Sequence, residues 1–473
     1  MNVRNPRTGE IDVEMVASTE AEIAATVAEV RAAQPSWYAA GIEHRVAALR
    51  QFAAELTAHR DEVCQALIVD TGRVVESYQE LDGVCNAIDH WCDVAPALLA
   101  RNTPSPTRIP FVHSTVGHTP YAVAGVIAPW NFPLLLSFID AIPGLLAGCA
   151  LVLKPSEVTP RFVTPLQRVL DRVPPLRQVL RLICGGAAAG RSLTGKVDLM
   201  CFTGSVATGK QVAVAAAQHF IPVHLELGGK DPAVVFADAD LPRAAAAISW
   251  GGTVNAGQSC LSIERVYVER SVHDAFVGML VRATQTLALN RETLHEGQIG
   301  PLINGAQADV IDRHLSDAVA SGAIVRCGGR LIRDGGVWCE PTVLTNVNHT
   351  MLVMREETFG PILPVMPFED EKEAIRLAND TNFGLSAAVF TDEAERLSRV
   401  ARRLDAGAVS ANDACLTSFV HEGAKQAFKD SGLGGSRMGN SALARFYRSR
   451  VTLENVDQAW DPWWFEQTQG GKV

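Results

Sequence analysis

The chain reads as an α/β protein built from parallel sheets covered by helices. Three observations predict this class. Short stretches at 124–129, 150–154, 178–184, 197–203 and 223–227 alternate with helical segments and are largely apolar on both faces, as strands buried beneath helices are. The alternation starts again after Cys260, which predicts a second α/β unit. At 473 residues the chain exceeds one ordinary core and divides into about two to four structural units.

Taken in order, residues 18–63 carry Ala-rich patterning of helical period with Ser18 or Thr19 as N-cap, and 47–67 continues the same spacing. Two or three packed helices are expected there. A further helical region at 73–99 ends before the proline-rich 102–110, which reads as a boundary. Residues 111–123 read as an extended, hairpin-forming piece. Beyond Cys260 come a strand at 266–268, helices at 272–288, 308–320, 371–379 and 393–405, and strands at 323–326 and 387–391. Strand-like alternation at 448–456 leads into the aromatic run Trp460-Asp-Pro-Trp-Trp-Phe465. No solenoid repeat or low-complexity tract interrupts the chain.

Composition narrows the function classes. With 47% hydrophobic and 20% charged residues the chain is not a disordered one. A net charge of -10 argues against nucleic acid as the main partner, because neutralising phosphates needs a basic surface. The ten cysteines are scattered without a Cys-x-x-Cys pair, which argues against a zinc site or a disulfide framework, so no metal is expected. The N-terminal residues lack the apolar core of a signal peptide, and no apolar run approaches the ~18 residues that span a bilayer. A reduced, cytoplasmic protein with no membrane partner is the expectation.

Five stretches carry chemistry. Cys260 follows Gly257, Gln258 and Ser259, small or polar residues that let the backbone turn and present a thiol. A thiol is nucleophilic as thiolate, with a free pKa of about 8.5, and the competing reading is an inert core cysteine. Phe202-Thr-Gly-Ser-Val-Ala-Thr-Gly209 runs from a strand end into a helix, where free N–H groups suit a phosphate; it also reads as a plain connection. Lys154-Pro-Ser-Glu157 offers a cation and an acid to the hydroxyls of a ribose, or a helix cap at Ser156. Glu226-Leu-Gly-Gly-Lys230 ends an apolar strand in a carboxylate, either a general base or a partner of Lys230. Pro129-Trp-Asn-Phe-Pro133 places at a strand end an amide that can serve an oxyanion or merely a turn.

These stretches, with Glu356-Glu-Thr-Phe-Gly-Pro361 and Lys429-Asp-Ser-Gly432, stand in the order seen in the NAD(P)-dependent aldehyde dehydrogenase superfamily, and the resemblance runs from about Asn5 to Tyr447. It implies a Rossmann-like NAD-binding domain (1–104 and 121–228, with 431–444 returning to it), a second α/β catalytic domain (229–430), and a small β oligomerisation flap and tail (105–120 and 445–473). It implies that Cys260 attacks an aldehyde to give a thiohemiacetal, that Asn131 and the Cys260 N–H hold its oxyanion, and that Glu226 activates the water that cleaves the later thioester. NAD would be met by Ile127, Ala128, Pro129, Trp130, Lys154, Ser156, Glu157, Gly186, Gly190, Phe202, Thr203, Gly204, Ser205, Leu227, Gly228, Glu357 and Phe359. The acid at Glu157 disfavours the 2′-phosphate of NADP by repulsion.

Departures from the family pattern stand at three places: Asp140 where a lysine is frequent, Cys149 where asparagine is usual, and Ser436 in place of a carboxylate assigned to a proton relay. Motif flanks suggest a funnel of Phe132, Leu136, Phe138 or Ile139, Trp250, Ser259, Leu261 and Phe419, suited to an aromatic or medium-chain aliphatic aldehyde. A homodimer or homotetramer is expected.

Overall fold

The computed structural model describes residues 1–100, 103–457 and 463–465. Its frame is two sheets, each buried beneath helices. The six-stranded sheet has the order Gly432–Leu433, Val223–Glu226, Leu199–Thr203, Val123–Ile127, Ala150–Lys154, Leu180–Leu182. Its last five strands are parallel and the first is an antiparallel edge. The seven-stranded sheet has the order Ile324–Cys327, Thr342–Thr345, Ile362–Phe368, Ile263–Glu269, Asp231–Val235, Ser386–Phe390, Ala408–Ala411. It too is parallel apart from its first strand. The strands Val123–Ile127, Ala150–Lys154 and Asp231–Val235 are buried at every position, which is why, apart from the terminal Lys154 and Asp231, they are apolar throughout rather than alternating.

The helical opening comprises four helices, Glu20–Ala39, Gly41–Ala58, Arg60–Thr71 and Val75–Leu98. Thr19, not Ser18, caps the first, and Glu22 returns the bond in a capping box. Gly72 at φ 71° ends the third in the left-handed conformation that a side chain resists. Ile23, Leu49, Phe52, Leu81 and Ile88 from these helices bury against the six-stranded sheet, and Ala442, Leu443 and Phe446 near the C-terminus join the same core. That return brings Arg437 and Arg445 back to the edge of the first sheet.

The piece at 111–123 is not a hairpin within itself, but its strand Val112–Pro120 forms a short hairpin with Ser105–Pro106 before it. Val112–Pro120 pairs antiparallel with Tyr447–Asn455 over nine residues, and Val123 enters the six-stranded sheet instead. Alternation alone does not identify a strand's partner, and here the main partner lies at the far end of the chain. A second hairpin, Asn2–Arg4 with Ile11–Glu14, turns around Gly9 at φ 74° and escaped the sequence reading because its second strand is exposed throughout. Of the aromatic tail, Trp460 lies outside the described residues, whereas the Trp463 ring stacks on Phe111 at 6.5 Å.

Candidate active site

The facing ends of the two sheets bring the predicted residues together. Val123–Ile127 ends and Ala128, Pro129, Trp130 and Asn131 carry the chain into the helix Pro133–Ala147, whose first residue is a proline suited to that position. Asn131 is buried, and its side-chain Nδ2 donates to the Gln258 carbonyl at 3.1 Å. Asn255 Nδ2 donates to the same carbonyl at 3.0 Å and to the Asn131 carbonyl at 3.1 Å. The oxyanion candidate is thereby tied to the loop that carries Cys260.

That loop is held from both sides. Asn255, Ala256 and Gly257 all have positive φ, at 54°, 56° and 72°. Consecutive residues in this region cost free energy unless their surroundings enforce them, and such strain gathers at functional sites. The enforcing contacts come from Gln258, whose Nε2 donates to the Asn255 and Pro301 carbonyls while its Oε1 accepts from Ile303 N at 2.9 Å. Cys260 is half-buried, and Ser259 Oγ accepts from Leu261 N at 3.3 Å. Burial pushes the Cys260 thiol up to about 12; the Lys425 ammonium opposes the rise, and Glu357, Asp231 and Glu226 add to it. Near neutral pH this thiol rests protonated.

Glu226 ends its strand in a buried position. The pairing with Lys230 that its neighbourhood allowed is not made. Lys230 Nζ lies 2.5 Å from Glu264 Oε2, and both side chains are buried. Glu264 also accepts from the Thr358 and Phe359 amides at 2.7 and 2.8 Å, so the buried pair fixes the segment that carries Glu357 and Phe359. Glu357 accepts from Gly229 N at 3.0 Å, and a Cβ on Gly228 would meet its Oε2 at 2.4 Å. Burial, with the Glu264 charge, pushes the Glu357 carboxyl up to about 8. Phe359 meets Trp130 edge to face at 5.4 Å.

The residues of the expected nucleotide cleft form two groups. Lys154 Nζ lies 3.2 Å from Glu157 Oε2, a Cβ on Gly186 would sit 3.5 Å from Glu157 Oε1, and one on Gly190 would sit 3.3 Å from Ile127. Ser156 Oγ accepts from Val158 N at 3.2 Å. In the second group Ser205 caps the helix Val206–Gln218 by accepting from Thr208 N. Gly204 has no room for a Cβ beside the Phe202 ring, and Gly209 none beside Leu227. Thr203 turns instead to the Arg437 guanidinium.

The expected funnel is only partly one surface. Trp250 and Phe419 meet at a tilt with ring centroids 5.8 Å apart and are 40% and 63% exposed, forming an aromatic lip. Leu136 and Leu261 are half-buried. Phe132 lies under the Arg73 guanidinium at 4.5 Å. Phe138 does not line a funnel: it is wholly buried and stacks on Phe52 at 5.3 Å within the helical core, one helical turn inward from the exposed side. Cys149, a departure from the family pattern, donates its thiol to the Phe446 carbonyl at 3.2 Å.

Sequence reasoning missed Asn255, Glu264, Lys425 and Arg437 as parts of this region, and read Gln258 only as a turn residue rather than as the clamp of the loop. A signal existed for Glu264, a charged residue within an apolar strand, which is stable only when paired. Lys425 lies in a stretch with no periodicity, and nothing there marked it.

The comparisons agree with the geometry. The model of the aldehyde dehydrogenase family matches residues 1–452. The chain is 36% identical to 4,4'-diapolycopene aldehyde oxidase of Methylomonas sp over 99% of this chain and 88% of that one. It superimposes on PutA from Anabaena variabilis with a TM-score of 0.97 at 50% identity, covering 98% and 100% of the two chains. The betaine aldehyde dehydrogenase of Staphylococcus aureus, solved in complex with NAD+, gives a TM-score of 0.92 at 30% identity over 98% and 94%. No helix among the described residues is long and apolar enough to cross a membrane, and no cluster among them could hold a metal ion. With the family model spanning nearly the whole chain and the site built from both sheets, this protein belongs to the aldehyde dehydrogenase family.

Proposed function

We propose that this protein oxidises an aromatic or medium-chain aliphatic aldehyde to its carboxylic acid, using NAD and a covalent intermediate on Cys260. The observation that carries the reading is the joining of Asn131 to the Cys260 loop through the Gln258 carbonyl, across the gap between the two sheets. Cys260 is the nucleophile: its thiol gives up its proton to water, its sulfur bonds to the aldehyde carbon, and the carbonyl oxygen gains the π-electron pair. The Asn131 amide and the Cys260 N–H are the donors for that oxyanion. Glu226 takes a proton from the water that attacks the resulting thioester, the C–S bond breaks, and Cys260 is regenerated with the acid as product.

The residues present fit a dinucleotide. Gly186 and Gly190 leave backbone open beside Glu157, Lys154 and Ile127, which suits an adenosine ribose, with Ser156 in the same turn and Glu157 disfavouring NADP. The N-terminus of Val206–Gln218 at Ser205, with Phe202, Thr203, Gly204, Leu227 and Gly228 around it, suits a pyrophosphate. Glu357 and Phe359 would hold the nicotinamide ribose, with Ala128, Pro129 and Trp130 lining the cleft beside them. Bound there, the cofactor supplies the acceptor for the hydride that leaves the substrate carbon. In this reading the six-stranded half holds the cofactor, the seven-stranded half holds the nucleophile, and the ladder of Val112–Pro120 with Tyr447–Asn455 joins subunits of a dimer or tetramer in the cytoplasm. The exposed Trp250 and Phe419 pair supports a flat or greasy aldehyde.

The test is NAD reduction, followed by its near-ultraviolet absorbance, with benzaldehyde, hexanal and succinic semialdehyde. Cys260→Ala abolishes it, and Glu226→Gln leaves one burst per site followed by a stall. A higher kcat/KM for the semialdehyde overturns the substrate class, and activity retained by Cys260→Ala overturns the mechanism.

A further inference from the structure

The departures at 140 and 436 stand beside a buried cluster of charges that the family pattern does not foretell. Asp140 on Pro133–Ala147 is buried and lies 2.6 Å from Arg437 Nη2 and 2.5 Å from Arg445 Nη2. Both arginines are themselves buried, and Arg437 Nη2 donates to Thr203 Oγ1 as well. Two guanidiniums share one carboxylate, which leaves one positive charge uncompensated in the interior. A buried charge without a partner is strongly unfavourable. Thr203, which Arg437 touches, is paired in register with Glu226 on the neighbouring strand, and the Glu226 charge is felt at Arg437.

We propose that Arg437 is the positioning residue for Glu226, the end of an alternating chain Arg445, Asp140, Arg437, Glu226 that holds the base by charge and carries no proton away from it. This rests on Glu226 being the base of the reaction proposed above. The second half follows from the groups themselves. Arginine does not give up its proton in proteins, and the two guanidiniums hold the Asp140 carboxyl well below the usual carboxylate range against the effect of its burial. None of Arg445, Asp140 and Arg437 exchanges protons near neutral pH. The proton that Glu226 takes from water therefore leaves through water. The other ionisable groups packed around this strand end are His224 on the same strand, lowered to about 4 by burial and neutral; Cys201 on the adjacent strand, raised to about 12 by burial and neutral; and Cys260, Lys425, Glu357 and Lys230 on the catalytic side.

The experiment uses the full chain without cofactor. Cys260 is acetylated with 4-nitrophenyl acetate, and decay of the acetyl-enzyme is followed by intact mass across a pH series. Deacetylation needs the base and not the hydride acceptor, so the rising limb of the profile reports Glu226 alone. Arg437→Met removes the nearer positive charge and moves that limb to higher pH by about one unit, in the range for loss of an opposite charge within a few ångström. Asp140→Asn leaves Arg437 and Arg445 with Glu226 as their one carboxylate, a net positive charge, and moves it to lower pH, and Arg437→Lys stays near wild type. Opposite shifts from adjacent substitutions are not produced by general loosening. The inference is overturned if the limb stays put in both variants or moves the same way in both. Should Arg437→Met not fold, Asp140→Asn decides: a limb unmoved or raised overturns the inference. If Glu226→Gln keeps the wild-type limb, the base assignment itself is wrong, which is a separate failure.

Discussion

Glu264→Gln tests the buried pair that seats the cofactor-side segment. In the native protein Glu264 takes the Lys230 ammonium at 2.5 Å and the amides of Thr358 and Phe359, with both side chains at 2% exposure or less. Glutamine has nearly the same shape but one acceptor oxygen and no charge. Breaking a buried pair from one side costs about 3–5 kcal/mol, because the remaining charge stays in the interior. A surviving hydrogen bond to the glutamine oxygen offsets about 1 kcal/mol of this. Lys230 keeps only the Thr358 hydroxyl at 3.0 Å. The expected loss is about 2–4 kcal/mol, read by urea denaturation of the apo protein. One of the two amides that fix Thr358 and Phe359 loses its acceptor as well, so NAD affinity measured by calorimetry falls with stability. The double substitution Lys230→Met, Glu264→Gln restores part of the stability, since it removes the stranded ammonium while the glutamine oxygen keeps one amide bonded. A loss under about 0.5 kcal/mol in Glu264→Gln, or a double variant worse than the single one, refutes the reasoning.

Other expectations follow from the site. Asn131→Ala lowers kcat by about 10²–10³ with NAD affinity retained, measured by steady-state kinetics and calorimetry; an unchanged kcat removes the amide from the oxyanion site. Iodoacetamide labelling of Cys260, followed by peptide mass spectrometry, climbs with pH toward about 12, because the thiolate is the reactive form and burial disfavours it. Lys425→Met slows that labelling at every pH by removing the cation that opposes the rise, and a midpoint near the free value of about 8.5 contradicts the burial account. Trp250→Ala and Phe419→Ala each raise KM for benzaldehyde more than for acetaldehyde, and equal effects on both place the aromatic pair outside the substrate path.

The parts legible in the sequence were those whose signal is local. Buried parallel strands such as Ala150–Lys154 are apolar at nearly every position, and the turn after Phe202 is marked by Gly204 and Gly209, which prove to have no room for a Cβ. Motif order placed Cys260, Asn131 and Glu226 in one family before any distance was known. What escaped was long-range. The nine-residue pairing of Val112–Pro120 with Tyr447–Asn455, at the other end of the chain, is not written in its alternation; only the family resemblance grouped the two segments. Phe138 and Leu136 sit two apart on one helix and face opposite ways, one into the helical core and one half-open, which proximity in sequence does not separate. The substitutions at 140 and 436 read singly as lost residues. Only the fold shows Arg437 arriving beside Asp140 with the opposite polarity.

One contact bears on how the site can move. A Cβ on Gly257 would lie 2.3 Å from the carbonyl carbon and oxygen of Gly360, so the strained turn before Cys260 rests directly on the backbone that follows Glu357 and Phe359. Nothing soft separates them. A flexible side chain at such a junction would absorb small shifts on one side and hide them from the other. Bare backbone against backbone behaves as a stiff bearing: displacement of the cofactor-side wall is handed to the nucleophile loop undamped. A cycle in which this cleft admits first a cofactor and later a water is then one in which the sulfur's seat and the cofactor's seat shift together.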